Sequence, residues 1–225
     1  MSGISVIIPV GPEAHHTDFL EECLESVAQQ THPAADVLLV DDMANLSIGG
    51  GTERLPQLRV WRAPWHLGVA GVFNCGVALA KTDLVFMLGA DDKLLPNCLE
   101  KCVEAYLREG EIDAYYNVGV MHSDGREDQY IACHAAMVTK GLWRKTGGFP
   151  PESVVGAADT MFLSILLAHG PVPIIMVDGT EPLYWYRVHE NTDTAQRRSW
   201  FSILHEVRNK LTADWRPPTW RRYSP

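Results

Sequence analysis

The chain has 225 residues with 46% apolar content, enough to bury a sizeable core as one domain with a short tail. Its formal charge of −9 argues against broad adhesion to nucleic acid or anionic lipid, and a phosphorylated ligand would need local neutralisation. Cys23, Cys75, Cys98, Cys102 and Cys133 lack the spacing of a disulfide scaffold, and no secretory signal or bilayer-length apolar run accompanies them. A cytoplasmic protein without a transmembrane segment is the expectation.

In chain order, Ile4–Val10 is a short β-branched run bounded by Pro and Gly, the pattern of a buried strand. Phe19, Leu20, Cys23, Leu24 and Val27 recur at three- and four-residue steps behind Thr17, which predicts a capped amphipathic helix over 17–30. The apolar run 37–40 ends in Asp41-Asp42, so strand, helix and strand imply a right-handed parallel crossover. A strand over 58–61, a helix over 69–80 and a strand over 84–88 follow, the last stopping at Gly89-Ala90-Asp91-Asp92. Acidic pairs thus close two apolar strands, the edge of a parallel sheet where ligands bind.

Further along, the pattern predicts a helix over 96–109 and strands over 113–120 and 129–133 joined around Ser123-Asp124-Gly125. Helices are expected over 136–146, ended by Gly147-Gly148, and over 157–168. Strands over 174–177 and 183–188 come last, before a helix from residue 196 and a tail rich in Trp and Arg.

Adjacent carboxylates repel unless a cation or hydrogen-bond donors lie between them, so Asp91-Asp92 is a candidate divalent-metal site. It reads equally as an acidic helix start that complements the dipole. Asp41-Asp42 alone reads as a solvated turn, and its occurrence beside a second strand-end pair favours a functional edge. Cys98 and Cys102 lie one helical turn apart without a second ligand pair, the pattern of semi-buried free thiols.

The succession of 5–10, 37–42, His66-Leu67-Gly68 through Asn74-Cys75-Gly76, and 88–92 resembles the donor-binding half of family 2 glycosyltransferases. That resemblance implies an α/β fold of the GT-A kind, a doubly wound, mostly parallel sheet flanked by helices, with a small antiparallel element and a C-terminal helical tail. It divides the chain into a GT-A domain over 1–195, with a nucleotide-sugar donor half (1–100) and an acceptor and catalytic-base half (101–195), and a tail over 196–225.

By the same resemblance, Pro9, Val10, Asp41, Asp42, His66 and Gly68 would line the nucleotide pocket, and Asp41 would accept a base ring N–H, which suits uracil. Asp91 and Asp92 resemble the end of the family's Asp-x-Asp motif, which holds Mn²⁺ or Mg²⁺ on the diphosphate. Gly147-Gly148-Phe149 and the later Asp159 resemble the segment carrying the general base for an inverting displacement, although Asp159 also suits a helix cap. Tyr186-Arg187-Val188-His189 resembles the closing segment, where His189 would reach the metal and Arg187 the donor. The implied partner is a nucleotide-diphosphate sugar, UDP-sugar favoured. The acceptor stays open among protein, glycan, lipid and small molecule, and a homo-oligomer is compatible.

Three positions depart from the family pattern. Gly89 replaces the first Asp of Asp-x-Asp, Phe73 replaces the Arg before Asn74, and Ala158 replaces the Glu before Asp159. A non-catalytic binding protein on the same fold is the main alternative, followed by a nucleotidyltransferase. The latter would be expected to carry a Gly-rich basic loop after the first strand, and 11–16 lacks one.

Overall fold

The computed structural model describes residues 2–47, 54–128, 135–149, 174–177 and 181–189. They fall into two compact units, 1–187 and 188–225; in the second only Val188, exposed, and His189, half-buried, are described.

The first unit begins with β1 (Ile4–Val10), a single 3-10 turn (Ala14–Thr17), α1 (Leu20–Ala28), β2 (Asp36–Asp41), β3 (Leu58–Arg62), α2 (Gly68–Leu79) and β4 (Leu84–Met87). It continues through β5 (Lys93–Leu94), α3 (Cys98–Arg108), β6 (Tyr115–Asn117), β7 (Gly119–His122), β8 (Glu127–Asp128), β9 (Ala136–Thr139) and α4 (Lys140–Thr146), then β10 (Ile174–Met176) and β11 (Pro182–Tyr186).

Among the described residues, seven strands form one sheet in the order β10-β6-β9-β4-β1-β2-β3. Its pairs are parallel except where β9 runs antiparallel to β4 and β6. Strand residues alternate between its faces. Val6, Ile8, Val37, Leu39 and Phe86 pack in one layer with Cys23 and Val27 of α1 and Leu99 and Cys102 of α3. Ile7, Leu38, Val40, Val85 and Met87 pack in the other with Val72 and Val77 of α2 and Leu142 of α4. Helices on both faces explain why β1, β2 and β4 read as continuous apolar runs rather than alternating ones. Pro9 fits in central β1 because the β4 pairing ends at Ile7↔Met87, one turn of the pleat before it.

A smaller sheet, ordered β5-β11-β7-β8, has antiparallel pairs at both ends and a parallel pair in the middle. It is the small element expected, and it borrows β5 from the segment directly after Asp92.

Three expectations are corrected. The helix predicted from Thr17 begins at Leu20, because 14–17 closes a 3-10 turn and Phe19, which gives no side-chain cap, occupies the N-cap. The helix predicted over 136–146 is a buried strand followed by a shorter helix. Ala136–Thr139 fills the slot between β4 and β6, and Thr139 then caps α4 by accepting from the Leu142 amide at 3.2 Å. Sheet pairing overrides helix propensity there.

The single strand predicted over 113–120 divides at Val118, where the chain leaves one sheet for the other. The helix expected over 96–109 is present as Cys98–Arg108. The hairpin around 123–125 is present, with β8 as its described second strand, while 129–133 and the helix over 157–168 lie outside the described residues.

Candidate active site at the carboxyl edge of the sheet

Because β4, β1 and β2 are parallel neighbours, the loops after Met87, Val10 and Asp41 emerge at the same edge. The carboxyl end of such a sheet gathers loop side chains around a ligand.

Both carboxylates at the end of β2 are buried and held by the chain. Asp41 accepts from the amides of Asn45 (3.1 Å) and Leu46 (2.9 Å) and from the Arg62 guanidinium (2.9 Å). Met43 and Asn45 adopt positive φ of 71° and 54° in the turn that allows this wrapping. Asp42 accepts from the amides of Leu67 (2.7 Å) and Gly68 (3.0 Å) and lies 2.9 Å from His66 Nδ1. It therefore anchors the start of α2, where a carboxylate complements the helix dipole. A carboxylate offers about four lone-pair positions, so three are used in each case. Val10 is fully buried and offers the site only main chain, its carbonyl taking the Asp42 amide at 2.9 Å. Pro9 is half-buried.

The loop after β4 is tighter. Tyr184 of β11 donates its hydroxyl to Asp92 Oδ2 at 2.5 Å and accepts the Gly89 amide at 3.2 Å. The Arg187 amide donates to Asp92 Oδ1 at 2.8 Å. Burial, and next the neighbouring Asp91 charge, push the Asp92 carboxyl up to about 8. Burial and the same Asp92 push the Tyr184 hydroxyl well above its ordinary range, so the phenol keeps its proton at neutrality. A side chain at Gly89 would put its Cβ 2.7 Å from Asp92 Oδ2 and 3.0 Å from Asp91 Oδ1. The two carboxylates converge over Gly89, and glycine is what leaves them room.

Arg187 follows β11 directly. Its Nε donates to the Asp91 carbonyl at 2.8 Å and its terminal nitrogen to Glu22 Oε2 at 2.9 Å. Its guanidinium lies 3.8 Å from the Phe19 ring centroid and 4.7 Å from that of Trp185. Lys93 shares Glu22 at 3.3 Å and lies 4.0 Å over the other ring of the group, Trp185. The Arg187 hydrogen bond, opposed by burial and aided by Lys93, holds the Glu22 carboxyl below its usual range.

Asn74 of α2 bonds to α4 and the turn that follows it. Its Nδ2 donates to the Phe149 carbonyl at 2.8 Å, and its Oδ1 accepts from the Phe149 amide (2.9 Å) and Trp143 Nε1 (3.0 Å). Gly147 and Gly148 have φ of 78° and 80°, and a Cβ at Gly148 would strike Asn74 Oδ1, so the Gly-Gly-Phe turn fits this bracket. Phe73 stacks on Phe149, centroids 5.5 Å apart. The residue that displaces the family's arginine thus adds apolar contact beside the bracket.

Asp159 lies outside the described residues, and His189 belongs to the second unit. Among the described residues no group of three or more His, Cys, Asp and Glu side chains is gathered to hold a metal on protein ligands alone. An ion that shares its coordination with substrate phosphates needs only one or two carboxylates, and half-buried Asp91 meets that requirement. Glu22, Asn74 and Tyr184 were not singled out by sequence reasoning. Asn74 lies within the 66–76 stretch and Tyr184 opens an aromatic run, but nothing in their spacing indicates partners 75 and 92 residues away.

Comparison with known proteins agrees with this geometry. The family described as Glycosyl transferase family 2 matches residues 5–162. The O-antigen biosynthesis protein RfbC of Myxococcus xanthus is 33% identical over 118 residues, 50% of this chain and 9% of that protein. Chondroitin synthase of Pasteurella multocida is 26% identical over 184 residues, 72% of this chain and 18% of the synthase. The chain therefore spans a small part of these relatives.

Among solved structures, S. aureus TarS 1-349 in complex with UDP superposes with a TM-score of 0.68 at 16% identity, over 94% of this chain and 73% of that one. The mannosyltransferase PcManGT of Pyrobaculum calidifontis, in complex with GDP-Man and Mn2+, gives 0.66 at 18% identity, over 96% and 65%. No helix among the described residues is long and apolar enough to cross a membrane. With its parallel sheet, its acidic edge and a family match over most of its length, the chain belongs to glycosyl transferase family 2 and has the GT-A fold.

Proposed function

We propose that this chain moves a sugar from a nucleotide-diphosphate sugar, UDP-sugar favoured, to an acceptor hydroxyl by an inverting single displacement. The observation that carries the reading is the convergence of the Asp91 and Asp92 carboxylates over Gly89 at the carboxyl edge of a GT-A sheet. The TarS complexes with UDP and UDP-GlcNAc support the donor class, and the PcManGT complex with GDP-Man and Mn2+ supports a divalent ion and keeps GDP-sugars in view.

A Mn²⁺ or Mg²⁺ ion held by Asp91 would neutralise the diphosphate and stabilise the departing nucleoside diphosphate. Asp92, bonded to Tyr184 and the Arg187 amide, braces the loop from behind. The nucleotide base would lie toward the end of β2, near Asp41 and Asp42. Asp159 is the proposed general base that takes the acceptor proton.

The test has two stages. Thermal shift with UDP-, GDP-, TDP- and CMP-sugars, with and without Mn²⁺, identifies the donor. Release of nucleoside diphosphate is then compared among the natural protein, Asp91→Ala and Asp159→Ala. Mn²⁺-dependent turnover lost in both variants is expected. Donor binding without turnover in the natural protein would instead support a non-catalytic nucleotide-sugar binder.

A further inference from the structure

The loop that carries Asp91 is fastened to residue 187 twice. The Arg187 amide donates to Asp92 Oδ1 and its Nε to the Asp91 carbonyl, each at 2.8 Å. The rest of the guanidinium is turned toward Glu22 and two aromatic rings. Glu22 takes the terminal nitrogen at 2.9 Å, the Phe19 and Trp185 rings lie within 5 Å of its carbon, and 14% of the side chain is exposed. A cation balanced by a carboxylate and enclosed between rings projects little charge toward a diphosphate.

Its reach to the Asp91 carbonyl has a different consequence. That bond restrains the peptide plane leaving Asp91, and so the Cα from which the Asp91 side chain branches. Glu22 is what keeps the guanidinium turned that way, and Lys93, two residues after Asp91, is drawn to the same carboxylate at 3.3 Å. A ligand held in place before the ion arrives loses less freedom on binding it.

We propose that Arg187, oriented by Glu22, is a positioning residue that presents the Asp91 carboxylate to the divalent ion and does not contact the diphosphate. The inference rests on the metal-assisted transferase reading above and adds a role for two side chains behind the site.

The experiment uses the full chain with its best UDP- or GDP-sugar donor and Mn²⁺. Turnover is followed against Mn²⁺ at saturating donor, and binding of the matching nucleoside diphosphate is measured by calorimetry without metal. Arg187→Ala is expected to raise the Mn²⁺ concentration for half-maximal turnover by about 10- to 100-fold, the range for lost supports behind a metal ligand. Its metal-free nucleotide binding is expected to stay unchanged. Arg187→Lys recovers part of the loss, because an ammonium reaches one acceptor and lacks the fork for both. Glu22→Gln shifts the Mn²⁺ requirement in the same direction by less.

Weakened metal-free nucleotide binding in Arg187→Ala, with an unmoved Mn²⁺ requirement, would overturn the proposal in favour of direct donor contact. Should Arg187→Ala fail to fold, Glu22→Gln decides: an unchanged Mn²⁺ requirement there overturns the proposal. A natural protein whose turnover ignores Mn²⁺ refutes the underlying metal reading, whereas Mn²⁺-dependent turnover with unmoved variants refutes the positioning role alone.

Discussion

Tyr184 and Asp92, 92 residues apart, share a 2.5 Å hydrogen bond that ties the last described strand of the small sheet to the loop closing β4. The same hydroxyl accepts the Gly89 amide, so one phenol spans both ends of the Gly89–Asp92 loop.

Tyr184→Phe removes this bridge while keeping the ring against Phe86, whose centroid is 6.3 Å away. Leaving the Gly89 amide and the Asp92 carboxyl short of a buried partner costs about 1–3 kcal/mol. Urea unfolding measures the loss, and Mn²⁺-dependent donor turnover is expected to fall with it. Unchanged stability would mean that water replaces the hydroxyl.

Gly89→Asp, which writes the family's first Asp back into the motif, is expected to lower turnover. Its Cβ would sit 2.7 Å from Asp92 Oδ2 and 3.0 Å from Asp91 Oδ1, and a third carboxylate would join two that already repel. Overpacking of this kind costs about 1–3 kcal/mol. Denaturation midpoints together with steady-state kinetics check this, and a gain in turnover with unaltered stability would refute it.

Asn74→Ala releases the Gly-Gly-Phe turn from α2 by deleting three hydrogen bonds, two to Phe149 and one from Trp143. A stability loss of about 2 kcal/mol is expected, since the Phe149 amide and carbonyl lose their side-chain partner. Hydrogen exchange localises the effect: amides 147–149 become less protected, while those of β1 and β2 change only with global stability.

At the opposite edge of the sheet, Asp36 is fully buried and receives Arg59 through two bonds of 2.7 and 2.8 Å. Burial acts upward on its carboxyl, but Arg59 and the Lys81 amide outweigh it and hold the group below its ordinary 3.8. The stabilising contribution is therefore complete above 3.8 and is lost as pH falls through the lower folded value. Arg59→Ala is expected to cost about 3 kcal/mol at neutral pH, the low end for a broken buried pair because Arg59 keeps some solvent access. The gap between the two proteins should narrow below about pH 4. A gap independent of pH would show that Arg59 acts through packing.

Strands β1, β2 and β4, helices α2 and α3, and the acidic edge were legible in the chain itself. Each is a local pattern: an apolar run of strand length, a three-to-four repeat, a carboxylate pair where a run ends. Ala136–Thr139 was not legible, because Ala136, Met137 and Val138 beside a capping Thr suit a helix until β4 and β6 offer a vacant slot between them. The split at Val118 was hidden for the same reason: both halves favour strand, and only two separate sheets decide where one ends.

The site divides along the same line. Sequence by itself determined the family, the sheet edge and the carboxylates that face it, since those follow from composition and order along the chain. Tertiary structure alone decided what each group is bonded to: Asp41 and Asp42 wrapped by loop amides, Asp92 held by Tyr184, and Arg187 turned back onto Glu22 and the Asp91 carbonyl. Hydrogen bonds and burial depend on distances between residues far apart in the chain. The charge state of Asp92 and the orientation of Arg187 therefore exist only once the small sheet has docked behind the loop.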